Sequence, residues 1–216
     1  MHAPLHPAVR VEWRPLADLK SIVDPWRALA ERALEPNVFY DPAFALAAAP
    51  VFGERCGAVL VWSAHGRLLG LFPGRVTAWR DGLFPILAGW THPYAPLGTP
   101  LVDRNEAETV IAAWLEHLAH DAATPALMLL PMLPETGRFA AALDAVLLRQ
   151  GLRNAAFGHH QRAMLDPGTA GAHAVGRRKR KELNRQRRRL EDVEPVSFTT
   201  TDGPHEVAAA IQDFLV

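Results

Sequence analysis

Residues 58–88 read AVLVWSAHGRLLGLFPGRVTAWRDGLFPILA and carry the strongest fold signal in the chain. The apolar run 58–62 is typical of a buried strand, and a His-Gly turn follows it. An extended run continues over 67–79, and Asp81-Gly82 marks a second hairpin turn into 83–88. The stretch therefore predicts an antiparallel meander of about three strands.

The pattern inside and around the meander predicts further elements. Pro73-Gly74 is expected to interrupt the second strand. Asp24-Pro25 and Asp41-Pro42 each place a capping residue before a first-turn proline, which predicts a helix start. Asn105 and Glu108 resemble a capping box, and Gly151 stands where a helix would end. The predicted helices are 24–35, a short one from 42, 105–120 and 136–150, and the further predicted strands are 9–13, 126–130 and 154–165.

This order of elements predicts an α/β fold with a mixed sheet. The chain has 216 residues, of which 49% are hydrophobic, so it can bury a sizeable core. Cys56 is the one cysteine, so a disulfide within the chain and a cysteine zinc cluster are both excluded. We expect no bound metal, because His117 and His120 share a helical face but lack a third ligand at a telling spacing.

The chain shows no sign of secretion or of membrane insertion. Its first residues lack a basic region followed by an apolar core, and no apolar run approaches the roughly 20 residues that cross a bilayer. Together with the single cysteine, this predicts a cytoplasmic protein.

A basic segment stands out in a chain that has no formal net charge. Residues 177–189 hold nine Lys or Arg and one Glu. On a predicted helix, four of these cations share a face, where they could bind the phosphates of a coenzyme A moiety or of a nucleotide-linked acceptor. The four are Arg177, Lys181, Arg185 and Arg188.

Two other interpretations of the basic segment remain open. It could be a solvated charged helix, with Leu183, Leu190 and Val193 as a narrow stripe that docks one edge on the rest of the protein. It could also bind nucleic acid. That interpretation is disfavoured, because Pro195 ends the helix before any zipper and the rest of the chain is mildly acidic.

A domain boundary is predicted just before the basic helix. Residues 166–176 are rich in Gly and Ala, as expected of a hinge. A strand over 196–200 and an amphipathic helix from 204 are predicted after the basic helix. The chain ends inside this last helix without a cap, which predicts a second domain that is cut short.

Two residues of the segment GWTHPYAPLGTPLV are candidates for chemistry. His92 and Tyr94 flank a proline in a predicted loop. Histidine can act as a general base near neutral pH, and tyrosine can donate a proton or orient a substrate. The alternative is a rigid turn whose aromatic rings pack on the core. In the segment NVFYDPAF, Asp41 is expected to cap a helix while the aromatic residues pack.

Three segments together resemble the CelD-type acetyltransferases of the GNAT superfamily, whose double-domain architecture is similar to that of the Fem aminoacyl transferases. They are NVFYDPAF, GWTHPYAPLGTPLV and VGRRKRKELNRQRRRLEDVEPVSF, in this order along the chain. The resemblance implies a tandem pair of GNAT-like folds, each a largely antiparallel mixed sheet flanked by helices. Residues 1–165 would form the first, and 166–216 the hinge, the basic helix and the start of the second.

The resemblance also implies an activity. It implies transfer of an acyl group from acetyl-CoA or another acyl-CoA to an amine or a sugar-linked acceptor, in polysaccharide or cell-envelope biosynthesis. Donor binding would lie mostly in the second fold, and residues 92 and 94 would lie near the acceptor cleft. The glycine-containing donor turn of the superfamily is not visible in this chain, so the chain alone is expected to be inactive or a binding module. Self-association is a further expectation, because an incomplete fold exposes apolar surface.

Overall fold

The computed structural model of the chain describes residues 9–79, 82, 84–162 and 176–215. Two compact units, Met1–Ala155 and Ala156–Val216, divide the chain. The predicted boundary after residue 165 lies outside the described residues and stays a prediction.

The first unit is built on one six-stranded sheet. Its path is β1-β2-β3-β4-β6, with β5 paired to β3 off that path. All pairings are antiparallel except that of β4 with β6, which is parallel. The strands are β1 (Val9–Pro15), β2 (Gly57–Ser63), β3 (Leu68–Trp79), β4 (Phe84–Gly89), β5 (Leu101–Val102) and β6 (Met128–Leu129). The predicted α/β fold with a mixed, largely antiparallel sheet flanked by helices is confirmed.

Strand β3 runs through Pro73 without the predicted interruption. Its first half pairs with β2, and its second half, from Gly74, pairs with β4. Pro73 lies where β4 has ended, and its carbonyl oxygen accepts a hydrogen bond from Trp90 N at 3.0 Å. Proline has no backbone N–H to donate, but no strand residue stands on that side of Pro73 to accept it. The sheet therefore loses no hydrogen bond between strands.

Helices cover both faces of the sheet, so strand β2, which lies between β1 and β3, is buried on each side. The helices of this unit are α1 (Val23–Glu31), α2 (Pro42–Phe52), α3 (Ala107–His120) and α4 (Arg138–Gln150). Leu60 and Trp62 of β2 belong to the core with α1 and α2, while Val59 and Val61 belong to the core with α3 and α4. Burial on both faces explains why the β2 sequence is apolar without alternation.

Two of the predicted helix caps are wrong, although both helices start within two residues of the predicted positions. A 3-10 segment, Leu16–Ile22, buries three apolar side chains and leads directly into α1, so Asp24 lies inside the helix and caps nothing. Asn105 does not cap α3 either, because the helix begins at Ala107 and Glu106 occupies the N-cap position. The cap at Asp41 and the left-handed Gly151 after α4 are confirmed.

Two long-range contacts of charged side chains hold the helices in place. Asp103 is fully buried and accepts a hydrogen bond from Arg32 Nε at 2.7 Å. Glu35 accepts one from the backbone N–H of Phe139 at 2.9 Å, and so supplies the cap that Gly137 lacks at the start of α4. A Cβ on Gly137 would lie 2.4 Å from the Glu35 carboxylate.

The second unit contains the helices α5 (Arg177–Glu191) and α6 (Pro204–Leu215), as predicted. The predicted strand 196–200 is absent from the described residues, as is strand structure over 154–162. No neighbouring strand is available there to take up the backbone hydrogen bonds. In α5, Leu183 and Leu190 are 44% and 58% exposed.

Candidate functional site

The two candidate residues of GWTHPYAPLGTPLV lie in the loop between β4 and β5. His92 and Ala95 close a turn, in which Ala95 N donates to His92 O at 2.8 Å. The Tyr94 side chain is 71% exposed, whereas both ring nitrogens of His92 are inaccessible to solvent. The loop therefore presents a phenol at the surface and covers an imidazole.

The loop is fixed to the segment NVFYDPAF by side chains that bind backbone carbonyls. Tyr40 Oη donates to Trp90 O at 2.5 Å. Asn37 Nδ2 donates to Leu97 O at 3.1 Å and to Thr99 O at 2.8 Å. Burial raises the pKa of the Tyr40 phenol, which therefore stays a proton donor. Two of the three segments that carry the family resemblance thus form one structural feature.

His92 packs among aromatic rings. Its imidazole stacks on Phe52 with ring centroids 4.3 Å apart and planes within 5° of parallel. Phe44, Trp90 and Tyr94 lie within 6.5 Å of the same ring, centroid to centroid. We refer to these five side chains as the His92 cluster. The His92 cluster lies beside α2, which contributes Phe44 and Phe52 to it. Phe44 was predicted to pack as part of NVFYDPAF.

The His92 imidazole is neutral and unpaired. Neither ring nitrogen has a hydrogen-bond partner among the residues that the structure describes. Burial lowers the pKa of His92, because an imidazolium would lose its hydration without gaining a counter-ion. A neutral imidazole has the lone pair that a general base needs, but a substrate must first uncover it.

The four predicted phosphate ligands lie together on α5, in the second unit. Arg177, Lys181, Arg185 and Arg188 are all exposed. Arg185 donates to Glu182 at 2.8 Å, and this hydrogen bond is the main cause of the lowered pKa of Glu182. The other three form no ion pair with any residue that the structure describes, so they are available to an anion.

The sequence did not reveal a small apolar depression in the first unit. It lies beside the two residue pairs that join β4 to β6, and Trp114 of α3 stacks on Phe72 of β3 in its wall, 4.1 Å apart. The indole N–H of Trp114 has no acceptor in the described part of the chain. The depression is lined mainly by apolar side chains.

Three other expectations concern metals, thiols and membranes. The described residues contain no group of three or more His, Cys, Asp or Glu side chains placed to hold a metal ion. Burial raises the pKa of the Cys56 thiol, which disfavours the reactive thiolate. Among the helices that are described, none has the length and apolar character needed to cross a bilayer.

Comparison with known proteins gives likenesses of fold only. No family model matches the chain, and no curated protein matches it. Three similar solved structures are a ribosomal-protein-alanine N-acetyltransferase from Brucella melitensis biovar Abortus 2308, a "probable acetyltransferase" and a "possible acetyltransferase" from Clostridium difficile 630. Their identities to this chain are 14%, 15% and 11%, and their TM-scores are 0.44, 0.43 and 0.43. Each match covers 73% of this chain and at least 99% of the other.

Proposed function

We propose that the chain belongs to a GNAT-type acyltransferase of the CelD kind, which moves an acyl group from acyl-CoA to an amine or a sugar-linked acceptor. The observation that supports this best is that NVFYDPAF and GWTHPYAPLGTPLV, distant in sequence, are joined through Asn37 and Tyr40 on an α/β sheet. In this proposal the first unit binds the acceptor. The second unit is the start of a second GNAT-like fold that binds the donor.

The proposed reaction is direct transfer. The acceptor nitrogen forms a bond to the thioester carbonyl carbon, the carbon–sulfur bond breaks, and the coenzyme thiolate leaves. A ring nitrogen of His92 takes the proton that the acceptor amine loses, once the acceptor has uncovered the ring. The exposed Tyr94 hydroxyl donates a proton to the departing thiolate. We assign no residue to stabilisation of the oxyanion, which is usually the task of backbone N–H groups.

The enzyme assay follows release of the coenzyme thiol from acetyl-CoA with amines and amino sugars as acceptors. We expect Tyr94→Phe to lower kcat, since the phenol is exposed and its loss leaves the fold intact. His92→Gln should lower kcat as well, while His65→Gln, a distant exposed histidine, should not. Absence of turnover with every acceptor, or unchanged kcat in both site variants, would contradict these roles.

We propose that Arg177, Lys181, Arg185 and Arg188 on α5 bind the phosphates of acyl-CoA. Lys181→Ala/Arg188→Ala should raise KM for acetyl-CoA but leave KM unchanged for a short acetyl thioester that has no phosphate. The matched control is Arg187→Ala, whose guanidinium already pairs with Glu191 at 2.8 Å. Equal effects on both thioesters would exclude phosphate contact.

A non-catalytic interaction module is the second candidate, and the observation that favours it is the exposure of the cations of α5. Nucleic acid would be the partner that its charge suggests. A gel shift at two salt concentrations tests this, because backbone contacts weaken steeply as salt rises. Absence of binding at low salt would dismiss it.

A further inference from the structure

The second unit carries two blocks of opposite charge. Residues 177–189 hold nine Lys or Arg and one Glu, whereas 190–216 hold six Asp or Glu and no Lys or Arg. The whole basic block lies on α5, and Glu206 and Asp213 of the acidic block lie on α6. Positive and negative charges are thus separated along the sequence of this unit.

Several of these charges form no ion pair with a described residue. Within the described residues, α5 forms two ion pairs, Arg185 with Glu182 and Arg187 with Glu191. Only the second uses the acidic block, and it joins neighbouring turns of one helix. Lys181 and Arg188 form no ion pair with any described residue, and the same holds for Glu206 and Asp213. Opposite charges in similar numbers are therefore available on one unit.

Apolar side chains are exposed on the same unit. No residue of α5 is buried, and most of α6 is exposed. The large exposed apolar side chains of the unit are Phe157, Leu183, Leu190, Val193, Phe198, Ile211 and Phe214.

We propose that the second unit pairs with a second copy of itself, the cationic face of α5 of each copy meeting the acidic segment of α6 of the other. A two-fold interface uses the same patch on both subunits, so that a basic block on one copy faces the acidic block on the other, twice. One chain thereby supplies both complementary surfaces. Several charges must act together, because a single exposed ion pair contributes little.

Other anionic partners fit the unit less well. A nucleic acid or an anionic bilayer that approached α5 would also meet the acidic block, which repels it. A bilayer has a further obstacle, since Leu183 and Leu190 lie on the helix face opposite the row of Lys181 and Arg188 and cannot be inserted at the same time. A second copy of the chain is attracted by both blocks.

The first test measures the mass of the full chain by sedimentation velocity over a range of concentrations. We expect a concentration-dependent dimer at about 0.05 M salt that dissociates at about 0.5 M, where charges are screened within a few ångströms. A monomer at every concentration would overturn the proposal, and so would a dimer whose dissociation ignores salt.

The second test is a charge swap. Lys181→Glu/Arg188→Glu and Glu206→Lys/Asp213→Lys should each weaken self-association by more than about tenfold. The two variants mixed together should form a heterodimer of near wild-type affinity. The matched control, Arg55→Glu/Arg153→Glu, changes net charge equally on exposed residues of the first unit and should dimerise normally.

Two outcomes of the charge swap would overturn the proposal. One is a mixture that fails to associate although both variants keep the far-ultraviolet circular dichroism of the wild type. The other is a control that dissociates as readily as the Lys181→Glu/Arg188→Glu variant, because net charge alone would then explain the effect. The inference does not depend on acyl transfer, but it competes with phosphate binding for Lys181 and Arg188, because one side chain cannot hold both partners at once. Sedimentation reports on self-association whether or not the chain has activity.

Discussion

At the scale of single residues, His92 makes stability depend on pH. Its pKa is lowered in the folded protein, so the unfolded chain binds a proton more readily. The stabilisation by the neutral ring is full above the unfolded pKa of about 6.5 and is lost as the pH falls through the lowered folded value. The His92→Phe variant keeps an aromatic ring but has no titrating group there. We expect its Tm to fall less between about pH 7.5 and about pH 5.5 than the Tm of the wild type does.

The control for this measurement is His65→Gln, which removes an exposed histidine and should retain the wild-type pH dependence. If the His92→Phe variant lost as much Tm on acidification as the wild type, another group would be responsible. Direct titration of the imidazole by NMR gives an independent check, with a pKa below the ordinary histidine value as the expected result.

Truncation of the buried Asp103 side chain should lower the free energy of unfolding substantially. Its carboxylate is fully buried against the Arg32 guanidinium, which is 23% exposed, and it also accepts the Asn105 N–H. Asp103→Ala leaves that cation and that donor unpaired, and we expect a loss of about 3 kcal/mol in the free energy of unfolding. Urea denaturation measures it. Asp24→Ala, in an exposed pair with Arg27, should change it by less than about 1 kcal/mol.

At the scale of elements, the start of α4 depends on a residue about a hundred positions away in sequence. Glu35→Ala should cost about 1 kcal/mol, because the Phe139 N–H loses its acceptor. Gly137→Ala should cost a similar amount, since the new Cβ would displace the Glu35 carboxylate. The double variant should cost no more than either single one. Additive losses in urea denaturation would show that the two changes act independently.

Elements with strong local signals were predictable from the sequence. The His-Gly turn, the Asp41 cap and the left-handed Gly151 each depend on neighbouring residues, and the structure has all three. One prediction that failed depends on a distant partner, since 196–200 has strand-like side chains but no adjacent strand in the described residues. The predicted cap at Asn105 failed because α3 begins at Ala107, with Glu106 at the N-cap position.

The candidate site was predictable to the same extent. A proline between His92 and Tyr94 indicated a loop, and the aromatic residues of NVFYDPAF indicated packing. The contact between the two segments was not predictable, because it depends on Asn37 and Tyr40 binding carbonyls 50 or more residues away. The covered state of the His92 nitrogens follows from that packing and has no signature in the local sequence.

At the scale of the whole molecule, the two units differ in what stabilises them. The first buries two apolar cores on either side of a sheet. In the described part of the second, no side chain is buried. Isolated helices of α5 and α6 length are marginal in water, so their stability depends on packing that a lone second unit does not supply.

This difference predicts two kinds of thermal transition in one chain. All six tryptophans lie in the first unit, so their fluorescence should follow one cooperative transition. The helical circular dichroism should include an added gradual loss at lower temperature, from α5 and α6. Leu183→Ala/Leu190→Ala should alter that gradual part and leave the fluorescence midpoint unchanged. If both signals instead followed a single curve at low protein concentration, the second unit would have to be held by contacts as cooperative as those of the first, and the leucine variant would then lower the fluorescence midpoint too.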